Sequence, residues 1–376
     1  MNFDLLAHTH LLVVTGSRCY GIHTDGSDVD VKGVAVPPKD YYLGTLGSFE
    51  QADKSSQIQA FFDDMTEEEK VICRETKLEG SVYEIRKFVK LATDSNPNIL
   101  DVLFSRDAEV RRMTPVGEQL RAHRDMFLSA KAKHTFSGYA AAQLKRIKLH
   151  YRWHTGGEIK APSRADFDLP DRSLMPRDQL QAALAAVQKK IDSWSIDFGD
   201  LPASNKIEIQ GRMAAYLSEL EIGQQESFFA AARHIGYDEN FIEWMDKERR
   251  YRAAEAEAKS YARWKRERNP TRAALEAKYG YDTKHAGHLV RLLRMGREIL
   301  TTGKVNVWRG DIDAEELIAI RKGAWSYDQL IEWAEGEDAA LEAIYRSGEH
   351  PLPKSPDRKA IHALCMSLVE QGLGIS

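Results

Sequence analysis

The chain has few cysteines, no long apolar run and little net charge, and each absence excludes a class of protein. Its 376 residues include three cysteines, Cys19, Cys73 and Cys365, which lie too far apart for a disulfide framework or paired zinc ligands. No stretch approaches the roughly 18 apolar residues of a membrane span, and the N-terminus, with Asp4 near its start, lacks the apolar core of a secretory signal. We therefore expect a cytoplasmic protein that does not bind a membrane.

The formal net charge of −4 argues against a protein that coats nucleic acid without specificity, although local basic patches remain compatible with it. With 43% hydrophobic and 29% charged residues, the composition is that of an ordinary globular protein, and the length favours two domains. Three common catalytic motifs are also absent: the P-loop G-x-x-x-x-G-K-[ST], the G-x-S-x-G elbow and the H-E-x-x-H helix. Catalytic residues, if the chain is an enzyme, are therefore expected in an arrangement other than these three motifs.

The most informative stretch is 16–33, GSRCYGIHTDGSDVDVKG, which follows an apolar, β-branched run over residues 11–15. That run predicts a buried strand ending in a tight turn at Gly16 and Ser17. Because glycine has no Cβ atom, backbone N–H groups and the Ser17 hydroxyl can approach a phosphate closely there. We therefore interpret the turn as an anion-binding site.

Residues 27–36 alternate in polarity and predict a second strand. Asp28 and Asp30 then point to the same face, where their charges repel unless a cation lies between them. Oxygen ligands of this kind suit Mg²⁺ that carries substrate phosphates. An isolated D-x-D more often marks a polar hairpin with two solvated acids, but the order of strand, Gly-Ser turn and paired acids favours the metal site.

The motifs Gly16-Ser17, Gly21 and Ser27-Asp28-x-Asp30 resemble the signature of the DNA polymerase beta superfamily of nucleotidyltransferases. In that superfamily the Gly-Ser turn holds the triphosphate and the paired aspartates hold two metal ions. Three further stretches resemble the predicted nucleotidyltransferase family that includes the RNA-ligase-associated, RNA-repair type: residues 96–104, residues 136–144 and residues 284–292. The similarity extends from near residue 12 to near residue 335.

The resemblance implies an α+β fold, with a small mixed β-sheet and flanking helices over residues 1–110. A mostly α-helical domain over residues 111–350 would complete the cleft and carry a charged insertion at about 155–280. A linker and a final helix would occupy residues 351–376.

A third carboxylate is expected because two-metal transfer needs a further ligand or a base for the attacking hydroxyl. Residues 77–83 predict a third strand that leads into a helix at 84–93, and Glu79 on that strand is the favoured candidate. The family typically has an aspartate there, and a surface glutamate at a strand edge is the alternative. Glu75 and Glu84 are weaker competitors.

Two helical stretches offer cations and polar groups for phosphate. A helix that begins near Ser137 places Tyr139, Gln143 and Arg146 on one stripe, either facing the cleft as acceptor or phosphate contacts or forming a solvated basic face. A helix from Thr283 places three further residues, Lys284, His288 and Arg291, on one face.

These three residues, with Ser27, complete the predicted nucleotide-binding set, because closely spaced cations favour a triphosphate or RNA phosphate partner. A metal ion at His285 and His288 is disfavoured, because the sequence shows no other ligands nearby and imidazole is a poor ligand for Mg²⁺.

Three other segments carry structural expectations. Residues 40–74, with their acidic runs, are interpreted as a surface excursion, and Asn96-Pro97-Asn98 as a loop. Amphipathic helices are expected at 178–194 and 206–220, followed by a charged helix over 238–267. Within residues 247–272 there are ten Lys or Arg against four Glu, a composition that suits either nucleic-acid contact or an exposed helix.

The resulting prediction is a metal-dependent nucleotidyltransferase that uses Mg²⁺ or Mn²⁺. It would move a nucleoside monophosphate from a nucleoside triphosphate, such as ATP, to an acceptor hydroxyl and release pyrophosphate. An RNA end is the expected acceptor, either tRNA or a broken RNA 3′ end, as in RNA repair. The alternatives are nucleotidylation of a protein or small molecule, and a non-catalytic module that binds nucleotide or nucleic acid.

Overall fold

A computed structural model of the chain describes residues 3–24, 26–45, 47–193, 224–268 and 270–375. The chain divides into two compact units, of which the first combines residues 1–155 with residues 270–376 and the second comprises residues 156–269. The predicted domain boundary near residue 110 lies inside the first unit, and the predicted insertion overlaps the second.

A five-stranded mixed sheet forms the centre of the first unit, with the strand order β3-β4-β2-β1-β5. The strands are β1 (Thr9–Thr15), β2 (Val29–Ala35), β3 (Gln51–Ala52), β4 (Leu78–Glu84) and β5 (Val110–Met113). β2 pairs with β1 in antiparallel and with β4 in parallel orientation. At its end β1 runs directly into a single helical turn, α1 (Gly16–Cys19).

The two faces of the sheet bury different apolar clusters, because alternate residues of a strand point to opposite faces. Val29 and Val31 of β2 are fully buried in one cluster, whereas Val34 is buried in the other. Asp28 and Asp30 have the same parity as Val34. The two acids therefore point to the face that carries the larger cluster.

The segment between β2 and β4 covers the face of Val29. It contains α2 (Asp40–Leu43), α3 (Ser55–Ile58) and α4 (Glu67–Thr76), and Ile58 and Phe61 are fully buried against the sheet. The prediction of a surface excursion was wrong. The acidic run belongs to the first turn of α4, where negative charge is favourable beside the free N–H groups.

Four helices from the next part of the chain pack on the opposite face: α5 (Ile85–Thr93), α6 (Pro97–Phe104), α7 (Pro115–Ala122) and α8 (Ala132–Thr155). The predicted loop at Asn96 is instead the start of α6. The Asn96 side chain accepts a hydrogen bond from the N–H of Asn98 at 3.0 Å, and Pro97 occupies the first helical position, where its missing N–H costs nothing.

The second unit contains α9 (Arg177–Ser193), α10 (Gln224–Ile235) and α11 (Glu239–Glu267). Its core includes Leu180, Phe228 and Met245. α11 confirms the predicted charged helix, and the Asp238 carboxylate caps it by accepting a hydrogen bond from the N–H of Phe241 at 3.0 Å. The amphipathic segment predicted at 206–220 lies outside the described residues.

The chain then returns to the first unit through five helices: α12 (Pro270–Tyr279), α13 (Thr283–Thr302), α14 (Ala314–Arg321), α15 (Tyr327–Ser347) and α16 (Arg358–Leu373). α13 begins at the predicted residue, because the Asp282 carboxylate accepts a hydrogen bond from the N–H of His285 at 3.0 Å. Leu289 and Leu293 of α13 share the larger cluster with Ala140 and Ile147 of α8. The small mixed sheet followed by a helical region confirms the predicted α+β class. In the part of the chain that the structure describes, no helix is both long and apolar enough to cross a bilayer.

Candidate active site

A cavity lies between the bend after β1, the start of β2 and the first turns of α13. It is lined by residues from all three places and by one residue at the end of α14: Gly16, Ser17, Tyr20, Ile22, Asp28, Asp30, Lys284, Gly287, His288 and Arg321. The cavity thus joins the predicted phosphate-binding turn, the predicted metal-binding acids and two of the predicted cationic positions.

Two carboxylates line this cavity, and a third lies on the neighbouring strand. Asp28 directly precedes β2 and is exposed, whereas Asp30 lies within the strand and is half-buried. In the sheet, Asp30 is the register partner of Glu79 on β4, and partners on neighbouring strands project their side chains to the same face. Glu79 is therefore placed beside Asp30, although it is exposed and does not line the cavity itself.

The surroundings of the Asp30 carboxyl group disfavour its charged form. Burial raises its pKa, and the negative charges of Asp28 and Glu79 raise it further, while Lys32 and Lys284 act in the opposite direction. Ionising Asp30 thus costs more than ionising a solvated aspartate. A cation held between the acids would remove this cost.

The bend after β1 requires glycine for two reasons. Gly16 has a φ of +69°, in the left-handed region that side chains disfavour. A Cβ atom at Gly16 would also lie only 2.8 Å from Oδ2 of Asp30. Ser17 follows within α1 and lines the cavity. The predicted tight turn is therefore a left-handed glycine followed by one helical turn.

Ser27 has a different place from the one predicted. Its Oγ accepts a hydrogen bond from the N–H of Thr24 at 2.9 Å, and its backbone carbonyl accepts one from Nη2 of Arg18 at 3.1 Å. The side chain is buried and does not line the cavity. The hydrogen bonds of Ser27 hold the loop that precedes Asp28.

The wall opposite the acids is formed by α13 and the end of α14. Lys284 and His288 lie one turn apart on α13, with Gly287 between them. A Cβ atom at Gly287 would lie 2.7 Å from Cγ of Arg321, so this glycine leaves room for the arginine, whose guanidinium donates a hydrogen bond to the carbonyl of Ile22. Burial, followed by the charge of Arg291, lowers the pKa of His288 well below its ordinary value. His288 is therefore a neutral hydrogen-bonding group near pH 7.

Residues 7–157 match the family model of the RNA repair pathway DNA polymerase beta family, RlaP. The match confirms the resemblance to the DNA polymerase beta superfamily that the sequence motifs predicted. It covers all five strands, the Gly16–Ser17 bend and the three acids, whereas α13 and α14 lie beyond it. Comparisons with curated proteins and with solved structures found no match.

Arg291 lies behind the cavity instead of lining it. The residue is 3% exposed, and its guanidinium carbon lies 3.8 Å from the ring centre of Tyr20. Nη1 of Arg291 is 4.0 Å from Oδ1 of Asp101, and the hydroxyl of Tyr20 donates a hydrogen bond to that carboxylate. The structure therefore places Arg291 in a buried group that supports Tyr20, which does line the cavity.

The predicted stripe on α8 is also not part of the cavity. The hydroxyl of Tyr139 accepts a hydrogen bond from Nδ2 of Asn96 at 2.8 Å, Oε1 of Gln143 lies 2.8 Å from Nδ1 of His285, and Arg146 is exposed. Tyr139 and Gln143 therefore contact other residues of the protein, Asn96 and His285.

Cavity residues that the sequence did not single out are Tyr20, Ile22, Gly287 and Arg321. Tyr20 lies within the matched residues 7–157. Its carbonyl accepts a hydrogen bond from the N–H of Arg309 at 3.0 Å. Arg321 has no local sequence signal, because its partner Ile22 is distant in sequence.

Cys19, which the sequence places inside the motif, is not a nucleophile. It is 1% exposed, and burial, followed by the nearby charge of Asp101, raises the pKa of its thiol. A buried neutral thiol is unreactive. This agrees with its interpretation as a small packing residue.

Proposed function

We propose that this chain is a nucleotidyltransferase that moves a nucleoside monophosphate from a nucleoside triphosphate to an acceptor hydroxyl. The observation that carries the proposal is the cavity in which Asp28 and Asp30 face Lys284 and Arg321 beside the Gly16–Ser17 bend. It is supported by the RNA repair polymerase beta match over residues 7–157. Cations on one wall and acids on the other suit a metal-bound triphosphate.

The donor set fits Mg²⁺ or Mn²⁺. Asp28, Asp30 and Glu79 offer carboxylate oxygens, which hard divalent cations prefer, and burial, followed by the charge of Asp28, raises the pKa of Asp30. The three carboxylates would hold the ion or ions. A divalent cation there would neutralise phosphate charge and make an acceptor hydroxyl more acidic.

The remaining residues would bind and orient the nucleotide. The backbone of Gly16 and the hydroxyl of Ser17 would approach the β- and γ-phosphates from one side, and Lys284 and Arg321 would supply positive charge from the other. Neutral His288 would donate or accept a hydrogen bond without adding charge. An acceptor hydroxyl that loses its proton near Glu79 would attack the α-phosphorus in line and release pyrophosphate.

An RNA 3′ end is the acceptor that we propose, on the basis of the RNA repair description of the matched family and the cations of α8. Arg146 and Lys148 of α8 are exposed, as backbone-binding cations must be. If the acceptor were a protein or a small molecule, the same cavity would bind the nucleotide, and the label would appear on that acceptor instead of on RNA. A binding module without activity would hold nucleotide and transfer nothing.

One assay separates these outcomes. The purified chain is incubated with Mg²⁺ and each α-labelled nucleoside triphosphate in turn, together with total RNA or cell protein. We expect label on RNA 3′ ends, which alkaline hydrolysis releases as the labelled 2′(3′)-monophosphate of the former terminal nucleotide because the transferred phosphate joins it to the added nucleoside. Label on protein would replace the RNA acceptor, and nucleotide binding without any labelled product would overturn the enzyme proposal.

A further inference from the structure

A second group of metal-binding side chains lies in the first unit, outside the cavity. His150 is near the end of α8, Glu276 is on α12 and Asp282 directly precedes α13, and one ligand atom from each lies within 4.8 Å of the other two. Glu276 and Asp282 are each 3% exposed. Two carboxylates this close and this deeply buried repel each other, and positive charge nearby stabilises them.

His285, on the first turn of α13, lies beside Asp282 but is not among the three side chains whose ligand atoms are all within 4.8 Å of one another. Its Nε2 lies 3.6 Å from Oδ2 of Asp282, and its Nδ1 lies 2.8 Å from Oε1 of Gln143. Because an amide oxygen only accepts hydrogen bonds, Nδ1 carries the proton, and in the neutral ring Nε2 has the lone pair. Metal-binding histidines are oriented in this way, with the second nitrogen donating to an oxygen of a neighbouring group.

Two of the ligand separations are close to those of a tetrahedral site, whereas His285 has to approach the ligands other than Asp282. Nδ1 of His150 lies 3.8 Å from Oε1 of Glu276, close to the 3.6 Å between His285 and Asp282. With metal–ligand bonds of about 2.0–2.1 Å, the ligand atoms of a tetrahedral site are about 3.3–3.4 Å apart. Side-chain adjustments of less than about an ångström therefore close these two pairs around an ion.

We propose that His150, Glu276, Asp282 and His285 bind one divalent transition-metal ion, with Zn²⁺ as the best match. Two imidazoles and two carboxylates are a donor set that suits zinc, whereas magnesium prefers oxygen alone. The sequence argued against a metal at His285 because no other ligand lay nearby. The fold supplies those ligands from α8 and α12.

The ion has a positioning role. One ligand comes from the first chain segment of the unit, and three come from the second segment, so the ion ties α8 to the start of α13. Lys284 and His288 lie on those same turns of α13. Metal binding would thus fix the helix that presents them to the cavity. The proposal does not depend on the transferase activity, and its test measures metal directly.

The test is zinc binding by the full chain after removal of metal with a chelator. We expect the wild-type protein to bind one Zn²⁺ per chain, and Co²⁺ in its place to give the intense visible absorption of a tetrahedral site. His285→Ala and Asp282→Asn should each weaken binding at least about a hundredfold, since each removes one of the direct ligands. Asp282→Asn keeps a capping oxygen for α13, so its loss of metal cannot be assigned to unfolding.

Three further variants make the result specific. Gln143→Leu, which leaves all four ligands, should weaken binding about 10- to 100-fold through the lost support of His285. His134→Ala changes an exposed histidine of α8 outside the group, and Asp30→Asn changes the cavity; both should bind zinc like the wild type. The proposal is overturned if the wild type binds no Zn²⁺ at micromolar concentration, or if His285→Ala and Asp282→Asn bind it as tightly as His134→Ala.

Discussion

Oδ2 of Asp30 lies 2.8 Å from the position that a Cβ atom on Gly16 would occupy. The bend that we propose to hold phosphate is therefore built directly against a carboxylate that we propose to hold metal. Gly16 also has a φ of +69°, so neither the backbone conformation nor the space beside it admits a side chain.

Gly16→Ala should lower both stability and activity. The left-handed conformation costs a residue with a side chain roughly 1–3 kcal/mol, and the added methyl group displaces the Asp30 carboxylate. Urea unfolding and nucleotide transfer measure the two effects. The control is Gly138→Ala, at a helical position with open space for a Cβ atom, which should gain roughly 0.5–1 kcal/mol. Equal stability and activity in the two variants would show that Gly16 is not constrained.

Asp30→Asn should stabilise the metal-free protein at neutral pH. Burial and the charge of Asp28 raise the pKa of Asp30 in the folded state, so the folded protein binds this proton more tightly than the unfolded chain does. Wild-type stability is then lost as the pH rises from the ordinary aspartate value of about 3.9 through the higher folded value.

Melting temperatures in a chelator between pH 3 and pH 8 test this titration. The variant should melt higher than the wild type near pH 7, and the gap should close below about pH 4. Adding Mg²⁺ should raise the wild-type melting temperature more than that of the variant. Asp63→Asn, at an exposed position, is the control. A gap that does not depend on pH would contradict the electrostatic explanation.

Lys284→Ala should weaken nucleotide binding. The residue lines the cavity opposite the acids, and a hydrogen bond to a charged group contributes about 1.5–3 kcal/mol, equivalent to about a tenfold to hundredfold change in affinity. Nucleotide KM or equilibrium binding measures the effect. Lys278→Ala removes an exposed lysine from α12 and should change neither. The same affinity in both variants would remove Lys284 from the binding site.

Arg291 and Asp101 should be coupled in stability. Both are almost fully buried, at 3% and 1% exposure, and removal of one partner of a buried charge pair costs about 3–5 kcal/mol. Arg291→Met should therefore be strongly destabilising alone, and much less so when combined with Asp101→Asn. Urea unfolding of the four proteins completes the cycle. Strict additivity of the two changes would show that the pair does not interact.

The elements nearest the motif could be predicted from sequence because their signals are local. The apolar run of β1, the alternation around Asp28 and Asp30, and the Asp282 cap of α13 each specify their own conformation. The third predicted strand is β4, but its parallel register with β2, which sets Glu79 beside Asp30, was not predicted, and the role of Glu79 as a ligand stays a proposal.

Features that depend on distant partners could not be predicted. Arg291 was predicted to bind phosphate, because nothing near it in sequence shows that Asp101 makes its burial possible. Arg321 contacts the carbonyl of Ile22, which is 299 residues away in the chain. The 40–74 segment was misinterpreted because it contains many charged residues. Its buried residues Ile58 and Phe61 are not part of an apolar pattern with a helical or strand period.

The carboxylates provide the most direct test of the central claim. Single-turnover transfer from an α-labelled nucleotide should be compared between the wild type, Asp28→Asn, Asp30→Asn and the control Asp63→Asn, with folding checked by circular dichroism. We predict that the two cavity variants lose about a thousandfold or more in rate, equivalent to several kcal/mol of transition-state stabilisation, while Asp63→Asn keeps the wild-type rate. Wild-type labelling in both cavity variants would contradict the account.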